Sequence, residues 1–240
     1  MERVKMTLRR MHYSPRTEEA YVGWIVRFLR FTGMKHPLEL GVDALREFLN
    51  HLANERNVAA SSQNQALCAV LFMYKQVLGM PLEVQAFDRA KRPRHLPGVL
   101  DAAEVRALLR AMRPPCALIA AVLYGAGMRL HECLGVRVKD VDLVRGVLII
   151  RAGKGGHDRM AILPQRLKPA IVAQLARVSR QHAADLGAGG GYVDLPHALA
   201  RKVPAAERAL SWQYVFPASR PYVDKETGKR VRPHLHETAV

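Results

Sequence analysis

Eight residues constrain this chain more than any others: Lys91-Arg92-Pro93-Arg94-His95-Leu96-Pro97-Gly98 combine two prolines, a glycine and three cations. Proline fixes φ and removes a backbone donor, so no helix or strand can run through such a stretch, and it predicts an extended linker able to follow a phosphate backbone. The expected organisation is therefore a first domain over residues 1–90, a basic linker over 91–99 and a second domain over 100–240.

Ahead of the linker the apolar residues recur with helical spacing. Ser14-Pro15 supplies a capping hydroxyl and a first-turn proline, and Tyr21, Trp24, Ile25, Phe28, Leu29 and Phe31 follow until Gly33 stops the run. A second stripe holds Leu45, Phe48, Leu49 and Leu52. A third holds Leu67, Val70, Leu71, Tyr74 and Leu78, closed by Gly79 with Pro81 beyond. These predict a small helical bundle.

Behind the linker the pattern changes. Asp101 with Glu104 forms a capping box ahead of Val105, Leu108, Leu109 and Met112, and Pro114-Pro115 ends that helix. Residues 116–126 are almost entirely apolar, which predicts a helix buried on most sides. Two short apolar runs, Gly146–Arg151 and Arg159–Leu163, flank a glycine-rich segment with hairpin chemistry. An amphipathic helix is expected from about Leu167 to Ala184. The glycines of Gly187–Gly191 then break the pattern as a flexible connector; a phosphate cradle is the weaker reading, because no Lys-Ser/Thr pair follows. The fold expected is mainly α with a small antiparallel β-sheet.

Composition narrows the partner. With 49% hydrophobic and 24% charged residues, the 240-residue chain is globular rather than disordered. Its formal net charge of +16 gathers polyanions, and both parts share it: 15 Lys+Arg against 9 Asp+Glu in residues 1–95, and 22 against 12 in 96–240. Nucleic acid is the expected partner, with a merely solvated basic surface as the alternative. No run approaches the roughly 20 apolar residues of a membrane span, and the amino terminus lacks a signal peptide's apolar run, so a cytoplasmic location is expected. Cys68, Cys116 and Cys133 lack metal spacing and are read as reduced core thiols.

The most informative stretch runs from Leu123 to Asp142. Gly125 and Gly127 let the backbone turn after a buried helix, and a short helix with apolar Leu130, Cys133 and Leu134 would hold Arg129 where its planar fork can grip phosphate oxygens. Taken alone, Arg129 reads rather as a surface or ion-pairing arginine, and Glu132 as an ordinary helix-surface or Arg-bracing carboxylate. The segment nevertheless resembles the tyrosine recombinases, or phage integrases, whose first catalytic arginine lies in Tyr/Leu-x-Thr/Ala-Gly-x-Arg-x-x-Glu-x-x-x-Leu, followed by Asp-x-Asp before a three-stranded sheet. Here only the last leucine departs, as Val136. Gly153-Lys154-Gly155-Gly156-His157-Asp158-Arg159 is similar to the family's Gly-Lys-Gly-x-Lys-x-Arg hairpin, with His157 in place of the second lysine. His12-Tyr13-Ser14-x-Arg16-Thr17-x-x-Ala20-Tyr21 resembles the opening of its helical core-binding domain. Residues 193–217 and Arg232-Pro233-His234-Leu235-His236 resemble the extra segment of integron integrases.

The resemblance implies a SAM-like core-binding domain joined to an α+β catalytic domain, acting on attachment sites and gene-cassette hairpins as a tetrameric synapse. It implies Arg129 and Lys154 as catalytic residues supported by Glu132, with DNA contacts from Arg16, Lys91, Arg92, Arg94, Arg137, Lys139, His157 and Arg159. The family's tyrosine hydroxyl attacks the scissile phosphate without metal or nucleotide cofactor. None of the ten histidines is followed three residues later by arginine, so the second half-motif, His-x-x-Arg, is missing, and Tyr192, Tyr214 and Tyr222 precede the place of the nucleophile. The expectation is an incomplete catalytic domain that does not cleave alone, with apolar surface left on helix 116–126 and the hairpin. The alternatives are a non-catalytic binder that interferes with an intact enzyme, and an unstable pseudogene product.

Overall fold

The computed structural model describes residues 1–82, 90, 98–151, 157–196 and 199–240. The chain divides into two compact units, Met1–Pro97 and Gly98–Val240. Lys91, Arg92 and Arg94 of the expected linker lie outside the described residues, as does Lys154.

The first unit is a bundle of α1 (Glu2–Arg10), α2 (Pro15–Phe31), α3 (Val42–Asn54) and α4 (Ala60–Phe72). Ser14 caps α2 by accepting from the Thr17 amide at 3.1 Å, and Gly33 takes φ +67° just past its end. Trp24, Ile25 and Phe28 of α2 meet Leu45, Phe48 and Leu52 of α3 and Ala66, Leu67 and Val70 of α4 in one core. Helix α1 was not expected, because only Val4 and Leu8 of its nine residues are buried and the rest are polar or exposed. Helix α4 runs into a π-helical turn over Met73–Val77, which buries Tyr74 and brings its hydroxyl 2.9 and 3.0 Å from the Pro37 and Leu40 carbonyls. Cys68, expected in the core, is exposed on α4: the buried stripe is formed by its neighbours Leu67, Ala69 and Val70.

In the second unit the Asp101 capping box forms as expected: Asp101 accepts from Ala103 and Glu104, and Glu104 accepts from the Asp101 amide. It opens α5 (Ala102–Ala111), which precedes α6 (Cys116–Ala126) and the single-turn α7 (Leu130–Leu134). Although α6 is apolar nearly all round, only Ile119 and Val122 are buried and Tyr124 is 64% exposed. The expectation of burial on most sides therefore fails; among the described residues only one stripe of the helix finds packing partners.

Strands β1 (Val141–Asp142), β2 (Val147–Ile150) and β3 (Arg159–Ile162) form an antiparallel sheet in that order, with Val147 opposite Ile162 and Ile150 opposite Arg159. Alternation puts Leu148, Ile150 and Ala161 in the core and leaves Met160 and Ile162 exposed on the other face. Helix α8 (Lys168–Gly187) adds Ile171 to the core, and Gln174 donates from α8 to the Val215 carbonyl at 2.6 Å.

The end of the glycine run, Gly190 and Gly191, is buried, contrary to the connector reading. Gly189 and Gly191 hold φ +74° and +83°, and a Cβ on Gly191 would stand 2.7 Å from the Leu186 side chain. The Gly190 and Gly191 carbonyls accept from Arg208 and Gln213 at 3.2 and 3.0 Å. Beyond the run come the short helix α9 (Leu199–Lys202), several 3₁₀ turns and a two-stranded sheet of β4 (Tyr222–Val223) and β5 (Arg230–Val231). Arg232, 6% exposed, ties this region to α8 through a two-pronged ion pair with Asp185 at 2.6 and 2.7 Å. Among the described residues no helix is long and apolar enough to cross a membrane.

Candidate functional site

Gly127 ends α6 in the left-handed conformation, φ +60°, and so turns the chain back on itself. Met128 is then buried, Arg129 takes an extended backbone at the N-cap of α7, and Cys133 and Leu134 anchor that turn in the core. The result is an arginine on a fixed backbone with its side chain 61% exposed.

Its counterpart is Glu132, whose side chain is only 8% exposed. One carboxylate oxygen accepts from the Arg129 guanidinium at 2.7 Å; the other accepts from the Arg129 amide at 2.9 Å and from Arg159 on β3 at 2.6 Å. Burial alone would raise the Glu132 pKa. The bonds from the Arg129 amide and from the Arg159 and Arg129 side chains outweigh it and hold the carboxyl down at about 2. One buried negative charge thus gathers two guanidinium groups from positions 30 residues apart, and the cluster retains a net positive charge. With donors left over on the exposed Arg129 fork, it can take a phosphodiester oxygen without prior reorganisation.

The hairpin neck is also fixed by charge. Arg151, just past β2, donates to Asp140 at 2.7 Å and approaches Asp158 at 3.8 Å, while the Asp140 side chain is 3% exposed. Arg151 and Asp158 stand on either side of residues 152–156, so the two ends of the hairpin loop are joined at their base. Sequence reasoning gave Arg151 no role. The available signal was a pair of opposite charges flanking a glycine-rich turn. His157 is exposed beside Asp158.

The other site expectations separate. Arg159 joins Arg129 through Glu132, whereas Arg16 is exposed in the first turn of α2, in the other unit. Arg137 and Lys139 are both engaged in contacts within the protein. Arg137 donates to the carbonyls of Trp212 and Asp194 at 2.7 and 2.8 Å and to the Tyr214 hydroxyl at 3.0 Å, with its guanidinium 4.4 Å from the Tyr214 ring centre. The Lys139 ammonium lies 4.1 Å from the Trp212 ring centre and 3.4 Å from Asp140. Planar aromatic faces and unpaired carbonyls compete well for cations once the surrounding water is displaced.

Tyr214 is half-buried against His234, and burial pushes its phenol pKa up. Tyr192 lies beneath the Arg208 and Lys229 cations, and the Tyr222 hydroxyl is 3.5 Å from Asp194. Among the described residues no three His, Cys, Asp or Glu side chains converge as metal ligands.

Both units match known protein families. Residues 1–84 match the model described as phage integrase, N-terminal SAM-like domain, and residues 98–217 match that of the phage integrase family. An integrase/recombinase of Escherichia coli is 40% identical over 238 residues, which is 99% of this chain and 71% of that protein; one of Pseudomonas aeruginosa matches equally. Tyrosine recombinase XerA of Thermococcus kodakarensis is 33% identical over 165 residues, 68% of this chain and 56% of its own. Among solved structures, the Tn1549 transposon integrase in complex with transposon right-end DNA shares the fold, with a TM-score of 0.55 at 13% identity over 95% of this chain and 72% of that one. The matches cover both units, and the chain belongs to the phage integrase family, the tyrosine recombinases.

Proposed function

We propose that this chain grips DNA at the scissile phosphodiester of integron attachment sites and cassette hairpins, and that its 240 residues bind without cutting. The observation that carries the reading is the Arg129–Glu132–Arg159 cluster: a buried carboxylate fixes two guanidinium groups and leaves the Arg129 fork exposed. Arg129 takes the non-bridging oxygens, Lys154 of the hairpin donates a proton to the departing 5′ oxygen, and Glu132 positions Arg129. Lys91, Arg92 and Arg94 add contacts to the phosphate backbone.

Cutting needs a tyrosine oxygen to bond to phosphorus while the bond from phosphorus to the 5′ oxygen breaks. Tyr214 is half-buried and receives a hydrogen bond from Arg137, and Tyr192 is covered by two cations. Neither is presented to a phosphate, Tyr222 has its hydroxyl 3.5 Å from the Asp194 carboxylate, which repels a phosphate, and positive charge without a nucleophile cannot start the reaction. Such a chain would occupy attachment sites and interfere with an intact enzyme. The relatives support the DNA partner: the similar transposon integrase is described in complex with its transposon end.

Gel retardation tests the reading. An attachment-site hairpin should be retarded at salt concentrations that release unrelated duplex, and Arg129→Ala should weaken binding and lower the salt slope by about 1. Equal, salt-sensitive binding to every DNA rejects the specific reading. The exposed Tyr124, Met160 and Ile162 favour a second reading, an unstable product without a role. A cooperative thermal transition of the purified chain refutes that one.

A further inference from the structure

Helix α1 carries four cations, and they divide by face. Lys5 pairs with Glu2 at 3.3 Å, and Arg9 makes a two-pronged pair with Glu18 of α2 at 2.8 and 2.9 Å. Arg3 and Arg10 meet no carboxylate among the described residues. Positions 3, 6, 7 and 10 follow helical spacing, so Arg3, Met6, Thr7 and Arg10 share one side of α1 while Val4 and Leu8 turn to the core. That side is one wall of an open groove of about 380 Å³, and Gln76 and Val77 of the π-helical turn form the other. Among the described residues no Asp or Glu lines it.

The two arginines of the groove differ in what else they do. Val77 ends the helical turn, where carbonyls lack a partner further along the helix, and the Arg3 guanidinium donates to its carbonyl at 3.2 Å across 74 residues of sequence. That bond uses one N–H of five and fixes the fork at one edge, on an exposed residue. Arg10 has no such task. It is exposed and makes no hydrogen bond or ion pair among the described residues. Attraction to the carboxyl end of α1 favours a cation at 9 and at 10 alike, yet Arg9 alone meets an acid. The Thr7 hydroxyl is turned back onto the Arg3 carbonyl at 2.8 Å, and Gln76 is exposed with its amide at the rim.

The groove thus holds two positive charges and no negative one, with one fork already immobilised, so an arriving anion orders little that is free. We propose that this groove is a second phosphate-binding site, in which Arg3 and Arg10 take backbone phosphates of DNA. The inference rests on the DNA-binding reading above. Exposed guanidinium groups hold a free ion weakly in salt, whereas a duplex already bound elsewhere on the chain presents its phosphates as an intramolecular partner. Such contacts add affinity and fix position; they carry no sequence information.

The test uses the whole 240-residue chain, an attachment-site hairpin and an unrelated duplex, with affinity followed by fluorescence anisotropy across a salt series. Arg10→Gln should lower the salt slope by about 1, and Arg3→Gln combined with Arg10→Gln by about 2, equally on both DNAs. Lys5→Gln and Arg9→Gln remove the same formal charge from the same helix, but from cations already paired, and should change the slope by less than about half as much. Arg10→Gln breaks no contact within the described protein, so it tests the site even if a melt shows the double variant to be unfolded. If Arg10→Gln leaves the slope unchanged, or the four cations prove interchangeable, the inference is overturned and the DNA-binding reading survives. The inference also falls if Arg10→Gln spares DNA binding and instead releases the chain from phosphatidylglycerol vesicles, which assigns the groove to a lipid surface. If the wild-type chain binds no DNA at low salt, both are overturned.

Discussion

Replacing Glu132 with glutamine isolates the charge that organises the candidate site. Glutamine keeps the size and one carbonyl oxygen, but removes the negative charge and turns an NH₂ group toward two guanidinium groups. The carboxyl falls from an ordinary 4.5 to about 2 in the folded chain, and at about 1.36 kcal/mol per pKa unit this sets a ceiling of about 3 kcal/mol on its contribution. Water reaches the Arg129 and Arg159 side chains, which are 61% and 38% exposed, so screening lowers the expected loss to about 1–2 kcal/mol. A depressed carboxyl stabilises the fold above its unfolded value, and that stability is lost as pH falls from about 4.5 toward 2. The gap between wild-type and Glu132→Gln chains should thus be full at pH 7 and reduced to about a quarter at pH 2.5. Each unit holds one tryptophan, Trp24 or Trp212, so urea unfolding followed by fluorescence in a Trp24→Phe background reports on the second unit alone. A gap below about 0.3 kcal/mol at pH 7, or one that persists undiminished at pH 2.5, refutes the reasoning.

Two further substitutions separate roles that the sequence could not. Arg137→Lys keeps the charge but cannot reach the Trp212 and Asp194 carbonyls and the Tyr214 hydroxyl at once; thermal unfolding should show a loss of about 1–3 kcal/mol while the salt slope of DNA binding stays unchanged. Gly191→Ala forces a Cβ against Leu186 at positive φ and should destabilise by about 1–3 kcal/mol in the same assay. Gly187→Ala, within α8 and with open space around its Cβ, should be neutral or stabilising by up to about 1 kcal/mol.

The stripes of α2, α3 and α4 were legible because each repeats apolar residues at helical spacing, and in α2 the Ser14 cap and Gly33 mark both ends. Helix α1 was not, since Val4 and Leu8 are its only buried positions and a pair four residues apart carries no period. In α6 the error ran the other way. Apolar composition says that a helix can be buried, but packing partners decide how much of it is, and Tyr124 stays in water. Arg129 and Glu132 were readable as one unit because three residues separate them on a single helical turn. Arg159 enters that unit only through the register that sets it opposite Ile150, and register is a tertiary fact that local sequence does not encode. The glycine run misled for a related reason: glycine is equally the residue of a loose tether and of a turn with no room for a Cβ.

The same distinction governs how the basic charge can act. Counterion release counts only cations that reach a phosphate, and a formal net charge of +16 counts all of them. Arg232 is closed in an ion pair with Asp185, Arg137 is held by two carbonyls and a phenol, and Arg151 is bound to Asp140. These bonds tie the three side chains into the second unit. Arg129 differs in being tethered by an acceptor on one side and open on the other. A guanidinium held in this way loses little freedom when a phosphate arrives, so it combines the rigidity of the braced arginines with the reach of the solvated ones.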